Sequence, residues 1–231
     1  TREAWTSAHS LWAVLRAAFA NTVGIRQTWE GTYSTSFVST LQPAVFGEGL
    51  FVLTTVVLLL ALLLALFYFL KQALGGVLGL DGAAVAAAFG ALGFVMVQFA
   101  PSAAEGFYWF NGGAAYTLLW SVMLFTAGVW LRFERASGRL HCILLYAALL
   151  LLSLVLGGAK YTTALYAALL AAGYTAWAFL RGRPKKWAYL TLTLALLLGL
   201  AFSASAPGNA VRVKTLSGGM GAPKAVLEAV Y

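Results

Sequence analysis

Residues 49–70 read GLFVLTTVVLLLALLLALFYFL, a run without a charged side chain. Its length is close to the roughly 20 residues that an α-helix needs to cross the hydrocarbon core of a membrane. The apolar side chains are continuous rather than alternating, and leucine outnumbers the β-branched residues, which favours a helix over a strand. The stretch therefore predicts a membrane-spanning helix.

Further apolar runs of similar length extend the pattern through most of the chain. They lie at 83–101, 114–131, 142–157, 161–180 and 188–206. The composition agrees, because 61% of the 231 residues are hydrophobic and only 10% are charged, whereas a soluble domain carries about 25% charged residues. We therefore expect an all-α protein, a polytopic transmembrane helical bundle in which residues 49–206 form six transmembrane helices. The single cysteine, Cys142, excludes an internal disulfide.

Basic residues in the connectors predict which way the bundle faces. The connectors 132–141 and 181–187 are rich in arginine and lysine, and Lys71 follows the first run. If the runs alternate, these segments share one side, and an excess of Lys and Arg marks the cytoplasmic side. The net charge of +8 then reflects membrane topology, and we expect no nucleic-acid partner. The segments left for the extracytoplasmic side are 1–48, 102–113, 157–161 and 207–231.

The first 48 residues precede the spans and have a different pattern. Apolar residues recur at helical spacing along one face: Trp5, Ala8, Trp12, Leu15, Phe19 and Val23. This predicts an interfacial N-terminal helix on the extracytoplasmic face, anchored by its tryptophans. We expect residues 1–48 to be an extracytoplasmic interfacial segment and residues 207–231 to be an extracytoplasmic segment in which a further helix starts. A chain that starts at Thr1 without Met and stops within that helix is expected to be a fragment of a longer protein.

Residues 105–113, EGFYWFNGG, form a connector too polar for lipid and rich in aromatic rings. Glu105 either completes a capping box, or binds sugar hydroxyls or a cation, or acts as a catalytic base. Tyr108 and Trp109 either pack on the face of a sugar or belong to an interfacial aromatic belt. Asn111 either binds the substrate or caps the next span.

Two cationic residues lie in the other extracytoplasmic connectors. Lys160 either snorkels from a helix end or contacts a phosphate, aided by the pair Gly157-Gly158, which would let a ligand approach the backbone. Asn209 and Arg212 follow the last run, and Asn209 is a candidate substrate-binding residue. Arg212 binds either a phospholipid headgroup or the phosphate of a lipid-linked substrate, since arginine contacts phosphate oxygens bidentately.

The turn around Glu30 is another motif-like connector. Glu30 is either a candidate catalytic acid or a turn residue, and its neighbours Trp29 and Tyr33 are candidate substrate-binding residues. The sequence contains no Walker loop, metal-ligand cluster or Ser-His-Asp pattern. We therefore expect no metal site, with a divalent cation left open as the only cofactor.

Residues 105–113, with Tyr116 beyond them, resemble a motif of a bacterial polytopic family that is similar to the O-antigen glucosyltransferases and, more widely, to the GT-C membrane glycosyltransferases. Three more segments fit the same pattern: the turn 29–33, the pair Gly157-Gly158, and Pro207-Gly208-Asn209 with Arg212. The resemblance implies a bacterial inner-membrane location, a polyprenyl-phosphate sugar donor, a glycan or lipid acceptor, and an active site on the extracytoplasmic face. It also implies a catalytic acid just after the first transmembrane helix, which would precede Thr1.

The first functional hypothesis is an inverting glycosyl transfer from such a lipid donor at the membrane. Glu105 and Glu30 are its candidate catalytic residues, and Lys160 and Arg212 its candidate phosphate-binding residues. A transporter or flippase for a lipid-linked glycan is the alternative from another class, and a non-catalytic membrane protein of envelope assembly is a third hypothesis. Release of sugar from the lipid donor would separate the first from the other two.

Overall fold

The computed structural model describes residues 1–216, which contain helices and no strand. This confirms the predicted all-α class. The α-helices are α1 (Arg2–Ala8), α2 (Leu11–Thr28), α3 (Tyr33–Ser39), α4 (Leu53–Leu70), α5 (Gly82–Gln98), α6 (Phe110–Gly113), α7 (Leu119–Arg135), α8 (Arg139–Gly157), α9 (Tyr161–Leu180), α10 (Lys186–Ala204) and α11 (Pro207–Thr215). Segments of 3₁₀ geometry lie at Pro43–Val45 and Glu48–Val52, and segments of π geometry lie at Lys71–Val77, Ala104–Tyr108 and Ala114–Leu118. The further helix predicted near Ala222 lies outside the described residues.

In the described part of the chain, five continuous helical stretches are long and apolar enough to cross a membrane. They are Glu48–Val77, Phe110–Arg135, α8, α9 and α10. The π segments merge with α4 and α7, which lengthens both helices. Five of the six predicted runs therefore coincide with candidate spans, and these helices indicate a membrane protein.

The second predicted run, 83–101, forms a shorter helix than expected. Its helix α5 covers 17 residues and ends at Gln98. Asp81 fixes the start, because its carboxylate accepts a hydrogen bond from the backbone N–H of Ala84 at 2.8 Å. Pro101 explains the early end, since a residue before proline is disfavoured in the helical conformation.

The basic connectors meet at one end of the helix bundle. We call it the basic end; it comprises residues 71–77, 132–139 and 181–186. Lys185 Nζ donates to the backbone oxygen of Ala136 at 2.9 Å, and Arg135 Nη2 donates to Gln72 Oε1 at 2.5 Å. These contacts join the connectors that follow α4, α7 and α9.

The remaining connectors meet at the opposite end. We call it the motif end; it comprises residues 28–33, 105–113, 157–161 and 203–212. Ser203 Oγ donates to the backbone oxygen of Gly157 at 3.0 Å, and Thr55 Oγ1 donates to the backbone oxygen of Phe107 at 3.0 Å. Helix α3 packs between α8 and the segment that leads into α7. The bundle therefore brings together the connectors with the motif-like residues.

The predicted N-terminal helix is wrong in one respect, because it is two helices. The chain turns at His9, whose φ of 43° is left-handed, and Ser10 is extended before α2 begins. Helix α2 buries Val14, Ala18 and Thr22. Its opposite face stays exposed and carries most of the predicted apolar stripe: Trp12, Leu15, Phe19 and Val23.

Helices α8 and α10 approach closely through small residues. A Cβ at Gly157 would lie 2.7 Å from Gly199 Cα and 2.7 Å from the backbone oxygen of Leu196. Small residues of this kind allow helix backbones to pack against each other in membrane proteins. The crossing positions Gly157 and the connector after it at the motif end.

We predict that Gly157→Ala destabilises the protein by about 1–3 kcal/mol, because the new methyl group meets backbone atoms that cannot rotate away. Thermal unfolding in detergent measures the effect. The matched control is Gly173→Ala on α9, where a Cβ would meet nothing within 4 Å, so the control keeps or raises the melting temperature. Equal melting temperatures for the two variants would contradict the close crossing.

Candidate functional site

The carboxylate of Glu30 lies at the centre of a charged group at the motif end. Lys160 Nζ donates to both Glu30 oxygens at 2.8 Å, and Arg212 Nη1 donates to Glu30 Oε2 at 2.8 Å. The side chain of Glu30 is 10% exposed, that of Lys160 20% and that of Arg212 40%. We call Glu30, Lys160, Asn209 and Arg212 the Glu30 cluster. Counting Glu30 as one negative charge and Lys160 and Arg212 as one positive charge each, the cluster has a formal charge of about +1.

Close backbone packing positions Glu30. The chain leaves α2 with the N–H of Glu30 bonded to the oxygen of Ile25 at 3.1 Å. At Gly31 a Cβ would lie 1.8 Å from the backbone oxygen of Ser203, so this position has no room for a side chain. At Gly208 a Cβ would lie 2.5 Å from the backbone nitrogen of Trp29. The turn after α2 is therefore pressed against the start of α11.

Asn209 joins the three connectors that carry the charges. Its Nδ2 donates to the backbone oxygens of Ser203 at 3.0 Å and Ala204 at 2.9 Å, at the end of α10. Its Oδ1 accepts from the N–H of Gly31 and from the hydroxyl of Tyr161, both at 3.1 Å. Every polar atom of this side chain is thus bonded within the protein, which makes Asn209 a structural residue of the cluster.

The pair Gly157-Gly158 was expected to let a ligand approach the backbone, but the ring of Tyr33 occupies the space beside Gly158. A Cβ at Gly158 would lie 2.3 Å from the Tyr33 ring. The oxygen of Gly158 accepts from the N–H of Ser34 at 2.9 Å, and the Tyr33 hydroxyl donates to the oxygen of Leu154 at 2.5 Å. Burial raises the pKa of Tyr33, so this hydroxyl stays a donor. The close approach at Gly158 serves packing of α3 on α8.

The guanidinium of Arg212 has further donors beside an exposed ring. Its central carbon lies 5.6 Å from the ring centre of Trp29, which is 41% exposed. Only Nη1 is bonded to a protein acceptor among residues 1–216, and that acceptor is Glu30. Arg212 can therefore keep its bond to Glu30 while its other N–H groups bind an anion.

The sequence did not single out Arg26 or Tyr161, which also support this end. Arg26 Nη2 donates to the oxygen of Phe202 at 3.1 Å, and its guanidinium lies 4.0 Å from that residue's ring centre. The Tyr161 hydroxyl lies 3.1 Å from both Asn209 Oδ1 and the oxygen of Ser203, so these two acceptors share its single proton. Their positions in the last turn of α2 and the first turn of α9 were visible in the sequence, but their partners depend on how those helices pack.

Residues 105–113 form a separate part of the motif end, which we call the aromatic loop. The N–H of Glu105 bonds to Ser102 Oγ at 3.4 Å, which is one half of the predicted capping box. Tyr108 and Trp109 are 61% and 56% exposed. Asn111 lies inside α6 instead of capping a helix. In the described residues no hydrogen bond or ion pair joins this loop to the Glu30 cluster.

Two cavities lie along the boundary between α7 and α9. One, of about 300 Å³ beside the aromatic loop, is lined by residues that include Phe107, Tyr116 and Thr162. The other, of about 390 Å³ between the helices, has an almost entirely apolar lining that includes Met123 and Leu170. The rings of Trp120 and Tyr166, which line the first cavity, pack edge to face with centres 6.2 Å apart.

No family model, no curated protein and no solved structure matches the chain. In residues 1–216, no three His, Cys, Asp or Glu side chains lie close enough together to hold a metal ion.

We predict that Glu30→Gln lowers the free energy of unfolding by about 2–4 kcal/mol, because it leaves two cations without a carboxylate in a mostly buried site. The predicted loss is set somewhat lower than the roughly 3–5 kcal/mol of a fully buried pair, since Arg212 is 40% exposed. Chemical or thermal unfolding in detergent measures it.

The control for Glu30→Gln is Glu48→Gln, which removes the partner of Arg2 in an ion pair whose side chains are 56% and 78% exposed. That change should cost less than about 1 kcal/mol. A Glu30 variant as stable as the Glu48 variant would show that the cluster contributes little to folding.

Proposed function

We propose that this chain belongs to a GT-C-type membrane glycosyltransferase that moves a sugar from a polyprenyl-phosphate donor to a cell-envelope glycan or lipid. The observation that carries the proposal is the Glu30 cluster, which fixes the ammonium of Lys160 and the guanidinium of Arg212 at one end of an apolar helix bundle. Fixed cations at a membrane surface suit the phosphate of a lipid-linked sugar.

In this reaction the bond from the sugar C1 to the phosphate oxygen breaks, and a bond from C1 to the acceptor oxygen forms on the opposite face. The polyprenyl phosphate leaves with the electron pair of the broken bond. Arg212 and Lys160 stabilise the negative charge that develops on its oxygen. The acceptor hydroxyl loses its proton to a carboxylate acting as base.

The geometry favours a positioning role for Glu30 over that of the base. Both of its oxygens already accept bonds from cations, so accepting a proton would disrupt the cluster. Glu105 is exposed and its carboxylate has no hydrogen-bond partner in the described residues, which leaves it available as the base that takes the proton of the acceptor hydroxyl.

The aromatic loop and Trp29 supply surfaces for a sugar. Tyr108 and Trp109 are largely exposed at the motif end, and aromatic faces pack on the apolar faces of sugar rings. Trp29 offers a similar surface beside Arg212. The side chains of Tyr33 and Asn209 bond to backbone oxygens of the protein. Their role in the site is therefore to hold its backbone in place and not to bind the sugar.

The cavities between α7 and α9 support a lipid-linked rather than a water-soluble donor. The apolar cavity can accommodate part of an isoprenoid chain, and the cavity beside the aromatic loop has hydroxyl groups such as that of Thr162 for a more polar group. The same pair of cavities favours the second candidate, a flippase that moves a lipid-linked glycan without breaking a bond.

The proposed location is the bacterial inner membrane, with the motif end extracytoplasmic and α2 lying in the interface. The three basic connectors at the basic end support this orientation. The exposed apolar face of α2, which carries Trp12 and Phe19, supports its contact with the interface.

We predict that a cysteine at Ser102 is labelled by an impermeant maleimide on intact cells, whereas one at Ser137 is labelled only after permeabilisation. Both serines are exposed and lie in connectors between helices, at opposite ends of the bundle. Cys142 is first replaced by alanine so that each variant has one thiol. Labelling of Ser137→Cys on intact cells would show that the basic end faces outward and would contradict the proposed orientation.

We predict that Arg212→Lys lowers turnover more than donor affinity, because lysine keeps the charge and loses the bidentate geometry. Arg212→Ala should raise the barrier by roughly 2–5 kcal/mol. The assay follows sugar release from radiolabelled polyprenyl-phosphate glucose by the protein in detergent.

The matched control is Lys214→Ala, which removes a cation from the same helix α11, where Lys214 has no hydrogen-bond partner in the described residues. Its turnover should equal that of the wild type. Wild-type turnover in Arg212→Ala at normal protein level would remove Arg212 from the site. Transbilayer movement of the donor without any sugar release would favour the flippase.

A further inference from the structure

A second charged feature lies at the basic end, far from the Glu30 cluster along the helices. A cavity of about 420 Å³ opens between the π segment after α4 and the start of α5, with Arg135 of α7 forming one wall. Gly75, Gly76 and Gly82 contribute only backbone to its lining. The proposed glycosyl transfer at the motif end has no use for this cavity.

The charged residues that line the cavity are both cations. They are Lys71 and Arg135, and no acidic residue is among the lining residues. Within residues 1–216, Lys71 has no hydrogen-bond or ion-pair partner. The acids nearest to the lining along the chain already have partners: Glu134, next to Arg135, accepts from Arg183 Nε at 2.9 Å, and Asp81 accepts from the N–H of Ala84 at 2.8 Å. The cavity is therefore suited to an anion.

Arg135 is held in place for such a contact. Its Nε donates to the oxygen of Leu131 at 3.1 Å and its Nη2 to Gln72 Oε1 at 2.5 Å. Its Nη1 has no acceptor in the described residues, and the guanidinium lies so close to Gly76 that a Cβ there would be 2.1 Å from Nη1. A glycine at 76 is thus required for this position of the guanidinium, whose open donors match phosphate oxygens.

The rim of the cavity shows which kind of anion fits. Leu80 lines the cavity, and Val77 and Leu78 adjoin it in sequence; all three are exposed, Leu78 by 65%. Phe67, another lining residue, is also exposed. Cations beside exposed apolar side chains at the end of membrane-crossing helices match a lipid whose phosphate lies above its acyl chains.

We propose that this cavity is a binding site for the phosphate of an anionic membrane phospholipid. Lys71 and Arg135 bind the phosphate oxygens, and the acyl chains lie along Val77, Leu78 and Leu80. The proposal depends on the basic end lying at a membrane surface and not on the activity at the motif end.

The test is native mass spectrometry of the full chain in detergent, titrated with phosphatidylglycerol or with phosphatidylcholine. We expect one phosphatidylglycerol to be retained more tightly than phosphatidylcholine. Lys71→Gln and Arg135→Gln should each weaken retention about tenfold or more, the loss of one charge-assisted contact. Gly76→Ala should weaken it as well, without changing any charge, because the methyl group displaces the guanidinium.

The matched control is Arg132→Gln, which removes a cation from the same last turn of α7 but from outside the cavity lining. Retention of phosphatidylglycerol should be unchanged there. An equal loss in Arg132→Gln would mean diffuse attraction to basic charge and would overturn the site, as would equal retention of phosphatidylcholine. Displacement of the lipid by millimolar inorganic phosphate would show that the cavity binds free phosphate and would contradict a lipid as its ligand. Lys71 is exposed, so its variant remains informative if Gly76→Ala unfolds.

Discussion

The buried carboxylate of Glu30 is the constraint on which the motif end depends. A charge with little solvent around it must be compensated by partners, and here the partners are Lys160 and Arg212. These residues lie 130 and 182 positions further along the chain. The pairing therefore fixes the relative positions of α2, α9 and α11, and Asn209 and Gly31 keep the backbones close enough for it.

The two ends of the bundle use their charges differently. At the motif end the acid and both bases form a compact group, so its excess positive charge has a fixed location. At the basic end Glu134 pairs with Arg183 and Lys185 bonds to backbone oxygens, while Lys71 keeps an ammonium without a protein partner in the described residues. The motif end therefore holds its cations in fixed positions, whereas the basic end has an exposed cation that is available to a ligand.

The long helices could be predicted from the sequence because hydrophobic length alone determines a candidate span. The predicted run at 49–70 and the helix found there agree for this reason. The break at His9 was missed, since a left-handed backbone at a histidine has no signal in hydropathy. The early end of α5 was missed because the prediction followed hydropathy and did not use Pro101 as a stop. The π segments beside α4 and α7 were missed because they depend on local backbone conformation that hydropathy does not report.

The sequence could place the members of the candidate site at the same side of the bundle, but it could not show which of them bond to each other. Glu30, Lys160 and Arg212 were each visible as charges in connectors, but a one-dimensional pattern does not reveal that two expected phosphate ligands bond to an expected catalytic acid. Glu105 and Tyr108 were equally strong candidates in the sequence, but they lie in a separate loop. That loop is held by local hydrogen bonds, such as that from the Thr117 hydroxyl to the oxygen of Gly106.

The distance in sequence between Glu30 and Arg212 has a consequence for biosynthesis. Translation delivers Glu30 well before Arg212, so the acid has to wait, partnerless or paired with Lys160 alone, until α10 and α11 have emerged. The native motif end is thus completed only after α11 has emerged from the ribosome. If α11 failed to pack, Glu30 would have Lys160 as its only cationic partner, and this incomplete cluster would be a defect that cellular quality control can detect before the protein is used.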